Sequence, residues 1–324
     1  MTTAAGSGDT SRIRVGISAC LLGQEVRFDG GHKRDRYITD TLGRFFEWVP
    51  VCPEVEMGLG TPRETLRLEG NPEAPRLVFG KTRGDATEQM QTWTRPRLEQ
   101  LAEADLSGYI LKSDSPSCGM ERVRVYRAGG VPSRDGVGIY ARMLMARFPL
   151  LPVEEEGRLH DLPLRENFVE RVFCYRRWRD LVAEGLTRGK LVAFHAAHKL
   201  LLLAHSPAHY QDLGRLVAAA KQYTMRELET RYGERFMAGL KVKATAKKHT
   251  NVMQHILGYL KEQLDARDKA EILSVIGDYH KGLVPLVVPL TLLKHHLTRT
   301  PVPYIQDQVY LMPHPKELML RNHV

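Results

Sequence analysis

Hydrophobic periodicity changes character near the middle of the chain, and that change limits the folds open to it. Up to about residue 150, short apolar runs alternate with helical stretches. RVGISA at 14–19 leads into Cys20, WVPV at 48–51 into Cys52, and SGYILK at 107–112 into SDSPSC. Between the second and third runs, residues 85–104 have helical apolar spacing with Pro96 as a kink, and 138–147 reads as a helix after a Gly-rich turn at 128–130. Strands alternating with helices predict a Rossmann-like α/β domain with a mostly parallel sheet. Beyond residue 163 the strand signal stops. Residues 164–184, 190–205, 213–232, 241–264, 267–281 and 286–298 carry apolar side chains at helical spacing, with glycines such as Gly185 and Gly282 near their ends. An all-α second domain is expected. LPVEEEGRLHDLP at 151–163 has prolines at both ends around an acidic run and reads as a linker. The expected domains are therefore 12–150 and 164–324, after a polar, disordered tail at 1–11.

Charge follows the same division. Residues 1–157 carry 21 Lys and Arg against 22 Asp and Glu, whereas residues 158–324 carry 26 against 16. Twelve of the 13 histidines also lie in the second half, so mild acid is expected to make it more basic still. A lopsided basic half points to a polyanion, most simply nucleic acid; the alternative is a solvated basic helical surface. Lys241, Lys243, Lys247 and Lys248 cluster at an expected helix start, and Lys33 and Arg34 form a second basic group; these are the candidate RNA phosphate contacts. His198, His205 and His209, spaced by seven and four, share one helix face and read as polar surface or RNA contact. Tyr175, Trp178 and Tyr210 either stack on unpaired bases or pack in the core. No apolar run approaches the roughly 20 residues needed to cross a bilayer, and the N-terminus has no secretory apolar core. A cytoplasmic location is expected.

Four cysteines in 324 residues are too few for a disulfide scaffold. Cys174 sits in the helical stretch VFCYRRW and reads as packing. Cys20, Cys52 and Cys118 each follow an apolar run beside turn-forming residues. Loops leaving the carboxyl ends of parallel strands gather at one edge, where ligands bind, so these three can meet in one pocket. Their separations match no local CxxC template. The residues leave three readings open: a metal or cluster site with one free position, a redox pair, or small buried side chains.

Polar neighbours surround each cysteine. Glu54, two residues after Cys52, is either a general base or a helix-start carboxylate. Ser113, Ser115 and Ser117 precede Cys118; a hydroxyl here either orients a substrate or serves the turn. Asp29, in RFDGGHKRD, either contacts substrate or caps the turn before Gly30 and Gly31. Gly58 and Gly60 lack the third glycine and the ribose-binding acid of a dinucleotide fingerprint.

The blocks ISACLLGQEVRFDGGHKRD, FEWVPVCPEVEMGLGTPRE and LKSDSPSCGMERV resemble the DUF523 family, which includes the thiouracil desulfidases, over about residues 12–150. HAAHKLLLLAHSP and the lysine-rich stretch from Lys241 resemble, more loosely, the DUF1722 domain found fused to it. The resemblance implies that Cys20, Cys52 and Cys118 hold a [4Fe-4S] cluster whose fourth iron takes the substrate's sulfur. It implies an essential glutamate at Glu54 and a serine in the loop before Cys118, with Ser115 the first choice and Ser113 the second. The fused form resembles desulfidases that remove sulfur from 4-thiouridine in tRNA by non-redox hydrolysis, giving uridine and sulfide. Thiolated tRNA is then the partner. Two alternatives stand beside it: a desulfidase of free thiouracil whose helical half dimerises or regulates, and a non-catalytic RNA-binding or sulfur-sensing cluster protein.

Overall fold

The computed structural model describes residues 12–127 and 131–323, so the expected tail at 1–11 and the turn at 128–130 lie outside the described residues. The chain forms two compact units, which meet at residues 158 and 159.

The first unit is built on a parallel sheet. Strand β1 (Ile13–Ser18) pairs with β2 (Phe46–Val51) on one side and β5 (Gly108–Leu111) on the other, and β8 (Val153–Glu155) completes the order β2-β1-β5-β8. Val15, Ile17, Tyr109, Ile110 and Leu111 are buried, as near-continuous apolar strands of a covered parallel sheet should be. Gly16 is required by packing. A Cβ there would collide with the Tyr109 ring on the neighbouring strand. Tyr109 and Tyr140 share a buried hydroxyl contact of 2.9 Å. The short helix α1 (Pro53–Glu56) follows β2, and α2 (Thr87–Glu103), with Pro96 inside it, and α3 (Ile139–Arg147) pack against each other.

Strand β8 corrects the linker expected at 151–163. Its signal was hidden because two of its three residues are buried glutamates. Their charges are matched locally: Arg158 donates to Glu154 at 2.6 Å, and the Met120 amide donates to Glu155 at 2.8 Å. A second sheet, absent from the sequence expectation, has the order β4-β3-β6-β7, from β3 (Leu66–Asn71), β4 (Ala74–Phe79), β6 (Val123–Tyr126) and β7 (Ser133–Gly136). Only β3 and β6 run parallel in it.

The second unit is helical: α4 (Leu162–Ala183), α5 (Arg188–His205), α6 (Pro207–Ala218), α7 (Met225–Lys241), α8 (Ala246–Leu260), α9 (Ala266–His280), α10 (Val287–Arg299) and the short α11 (Pro303–Gln306). No helix among the described residues is long and apolar enough to cross a membrane. The single helix expected over 213–232 is two. Thr224 opens α7 with a capping box to Glu227, and such a box starts a helix rather than continuing one. The lysine cluster is likewise divided: Lys241 ends α7, Lys243 lies between helices, and Thr245 caps α8 ahead of Lys247 and Lys248.

The histidine stripe is also corrected. Ser206 ends α5 and caps α6, so His209 sits on a different helix from His198 and His205. His198 and His205 are buried, not surface. His205 Nε2 faces Glu170 Oε1 at 2.5 Å and Nδ1 faces the Val242 carbonyl at 2.6 Å, so neither nitrogen is left over. Arg321 joins this cluster, donating to Glu166 at 3.2 Å and to Glu170 at 3.4 Å. Trp178 belongs to the core, stacked on Tyr232 at 5.1 Å, and Cys174 is fully buried.

Candidate active site

Three loops at the carboxyl edge of the parallel sheet supply the site. Cys20 lies in the 3₁₀ turn after β1, Cys52 between β2 and α1, and Cys118 in the loop after β5. All three line one cavity of about 360 Å³, together with Glu54, Arg63, Lys112, Ser113 and Ser115. The convergence expected from strand-end placement is what the fold produces.

Cys20 and Cys118 are buried and Cys52 is half-buried. Burial pushes the Cys20 thiol up to about 11, and the neighbouring Cys52 adds to the rise. Burial raises Cys118 further and Cys52 less. Among the described residues, no three His, Cys, Asp or Glu side chains are placed to hold a single metal ion.

Glu54 is held from both sides. Arg63 Nε and Nη2 donate to its Oε2 at 2.9 and 2.6 Å, and Ser117 Oγ donates to Oε1 at 2.8 Å. The Arg63 side chain is only 5% exposed, and its Nη1 also reaches the Val26 and Gly60 carbonyls. Both guanidinium donors converge on one oxygen and Ser117 takes the other, so these charge-assisted contacts hold the carboxylate at both of its oxygens.

The three serines divide their work. Ser115 Oγ accepts the Ser117 and Cys118 amides at 3.3 and 3.1 Å, which shapes the cysteine-bearing turn. Ser113 is tied to Glu156, donating through its amide at 2.7 Å and its hydroxyl at 2.8 Å, and Lys112 Nζ donates to the same carboxylate. Ser117, fully buried, is the serine on Glu54. Sequence reasoning named it without choosing it. Its position next to Cys118 was the available signal, but alternating serines in a loop do not reveal which one points where.

Other candidates are spread more widely. Asp29 accepts the Gly31 amide at 3.1 Å and Arg27 Nε at 3.4 Å, the turn-capping arrangement, and the Gly31 contact lowers its carboxyl. Lys33 lines the cavity, whereas Arg34 pairs with Asp40 at 2.9 Å. In the second unit, Lys241, Lys243 and Lys247 are exposed, and Lys248 donates to the His205 and Lys243 carbonyls at 2.6 and 3.1 Å.

Comparison with known proteins agrees with this division. The family described as 2-thiouracil desulfurase matches residues 15–156, and the DUF1722 family, described as a protein of unknown function, matches residues 199–315. The uncharacterized protein YbgA of Escherichia coli is 32% identical over 153 residues, covering 47% of this chain and 90% of the relative. The uncharacterized protein YbbK of Bacillus subtilis is 32% identical over 108 residues, covering 32% of this chain and 71% of the relative. Among solved structures, the [4Fe-4S]-dependent thiouracil desulfidase TudS is 29% identical with a TM-score of 0.39, covering 48% of this chain and 97% of that one. With a strand-edge cavity lined by three cysteines in the first unit and a helical second unit, the chain belongs to the 2-thiouracil desulfurase (DUF523) family and carries a C-terminal DUF1722 region.

Proposed function

We propose that the protein is an iron–sulfur-dependent desulfidase that hydrolyses the C–S bond of thiolated uracil, acting on 4-thiouridine in tRNA. One observation carries the reading: three cysteines from separate loops, and a carboxylate gripped by Arg63 and Ser117, line a single cavity. The donor set fits an iron–sulfur group by its chemistry: three cysteine thiols from separate loops line one cavity. Cuboidal clusters take cysteine thiolates as ligands. Cys20, Cys52 and Cys118 would hold a [4Fe-4S] cluster with one iron free of protein ligands. When bound, the cluster supplies a Lewis acid for the thiocarbonyl sulfur.

The chain's own residues would do the rest. Oε2 of Glu54 is committed to Arg63, while Oε1 accepts one hydrogen bond from Ser117 and keeps a lone pair. A water held there gives its proton to Oε1 as its oxygen adds to the ring carbon. Glu54 then returns that proton to the departing sulfur, and the hydroxyl of the adduct gives up its own proton to solvent as the carbonyl forms and the C–S bond breaks. One water enters, the carbon gains oxygen, and sulfide leaves with no net electron transfer. Ser113 and Lys112, fixed by Glu156, form a polar wall that would position the base, and Ser115 and Asp29 shape the loops around it. Exposed Lys241, Lys243 and Lys247, on a unit with excess positive charge, would contact tRNA phosphates, and Lys33 and Arg34 would do so on the first unit.

A second reading, free thiouracil as substrate, is favoured by the family description itself. Both are tested on full-length protein reconstituted anaerobically with iron and sulfide. Thiolated tRNA and free thiouracil are supplied separately, and the products are weighed by mass spectrometry. The expected result is uridine in tRNA, with a KM that rises with salt and rises again when Lys241, Lys243 and Lys247 are changed to Glu. Turnover of the free base alone would replace the tRNA reading. A protein that takes up no iron–sulfur chromophore would overturn both.

A further inference from the structure

The cavity has a feature that neither the cysteines nor Glu54 explain. Among the described residues of the first unit, two large apolar side chains are exposed, Phe28 at 38% and Val131 at 90%. Phe28 is the aromatic one, and it is the sole aromatic side chain lining the cavity. A single exposed phenylalanine is ordinarily unremarkable. This one is held in place by a built turn. The Arg27 amide donates to the Gly31 carbonyl at 3.2 Å, and the Gly30 amide donates to the Arg27 carbonyl at 3.0 Å. Gly30 has φ +78, and the Asp29 carboxylate closes the turn on the Gly31 amide. The Phe28 carbonyl accepts the Arg63 amide at 2.8 Å. Arg63 is the residue whose guanidinium grips Glu54, so the ring and the carboxylate are referenced to one another through a single buried arginine. The Arg27 guanidinium lies over the ring, 5.4 Å from its centre.

A tethered, partly open aromatic ring at a polar cavity is suited to a planar, conjugated partner. Base–aromatic stacking asks for no particular hydrogen-bond pattern and tolerates differences at the ring edge. The rest of the wall is thiol, carboxylate, ammonium, hydroxyl, aliphatic and guanidinium groups, and its two guanidiniums are already engaged, Arg63 on Glu54 and Arg27 on Asp29 and on the Phe28 ring itself. We propose that Phe28 is the stacking platform for the substrate's heterocycle, and that it selects planar conjugated thiocarbonyl rings over aliphatic thiocarbonyl compounds. This rests on the desulfidase reading for its substrate class. Phe28 contributes binding and orientation and takes no part in proton movement.

The test compares cluster-loaded wild type with Phe28→Ala, Phe28→Leu and Phe28→Tyr. Two quantities are measured: equilibrium binding of 4-thiouridine monophosphate by dialysis, and KM and kcat for that nucleotide and for thioacetamide. Stacking predicts that Ala weakens nucleotide binding and raises KM by about ten- to a hundredfold, with kcat changed less than about twofold. Leu, with similar apolar bulk but no flat face, should resemble Ala, and Tyr should resemble wild type. Thioacetamide kinetics should not respond to any of the three. Iron content and near-UV circular dichroism confirm that each variant keeps its cluster and fold. Nucleotide binding within about twofold of wild type in both Ala and Leu would overturn the platform. So would Leu matching Tyr, since bulk alone would then suffice. Wild type that binds the nucleotide through Phe28 but releases no sulfide would leave the platform standing and remove the desulfidase reading. Wild type that does not bind it would remove both.

Discussion

Glu54 is defined by its two partners more than by its distance from Cys52. Arg63 occupies Oε2 twice, and Ser117 occupies one lone pair of Oε1. Removing the charge while keeping the shape, with Glu54→Gln, should lower kcat by about 10²–10⁴ and leave iron content intact. Ser117→Ala should act through Glu54, lowering kcat with little change in KM, whereas Ser115→Ala should loosen the turn that holds the Cys118 amide and show first as cluster loss. Stopped-flow turnover alongside iron and sulfide quantification separates these outcomes. If Ser115→Ala lost rate at full iron content, the division of labour among the serines would be wrong. The cysteines were legible in the sequence because each closes an apolar run. The serine partner was not, because a loop's hydroxyls are aimed by backbone torsions that no spacing encodes. Arg63 carried no such signal, for the same reason: its carboxylate partner lies nine residues away, across a turn.

At the scale of elements, parallel strands that carry the cysteines were readable as apolar runs, and the helices were readable wherever one face was apolar. What escaped were elements whose burial is polar or whose boundaries are set by capping. Strand β8 buries Glu154 and Glu155 because Arg158 and the Met120 amide receive them. A hydropathy pattern sees only an acidic stretch there. In the second sheet β3 ends in Gly70 and Asn71 and β7 is Ser-Arg-Asp-Gly, so the alternation of these two strands is weak. The break between α6 and α7 turns on one capping box at Thr224. Strand β1 offers the sharpest element-level test. Gly16→Ala would push a methyl group into the Tyr109 ring and separate β1 from β5. A loss of about 1–3 kcal/mol is expected from such overpacking, read as a lower denaturation midpoint, with reduced iron retention because Cys20 and Cys118 follow those two strands. An unchanged midpoint would mean that the tyrosine ring can move aside.

Across the whole molecule, the histidine-rich half behaves differently from its composition. Acid was expected to charge its histidines. Instead burial holds His195 and His314 at about 4 and His198 and His249 at about 3, so the folded unit keeps these four neutral through the mildly acid range. Their folded values lie below the unfolded value of about 6.5, so the unfolded chain binds more protons. The stability they contribute is fully present above about pH 6.5 and falls as pH drops toward their folded values, at about 1.4 kcal/mol per pH unit for each histidine. Glu170, held low by His205 and Arg321 despite its burial, adds a further loss at more acid pH. Glu166, raised by burial, opposes the trend with one proton against four. Urea unfolding followed by far-UV circular dichroism should therefore show a clearly lower midpoint at pH 5 than at pH 7. His198→Phe and His249→Phe should flatten that dependence, and a midpoint that rises on acidification would contradict the burial of these rings. The position of β8 has a consequence of a different kind, for anyone who wishes to take the protein apart. Cutting at residue 150, where the linker seemed to begin, would strip the outer strand from the parallel sheet and carry away Glu155 and Glu156, the carboxylates that hold the Met120 amide and the Lys112–Ser113 pair. The natural scissors mark lies after Arg158, and a fragment trimmed to the apparent boundary would lack the carboxylate that braces one wall of its own cavity.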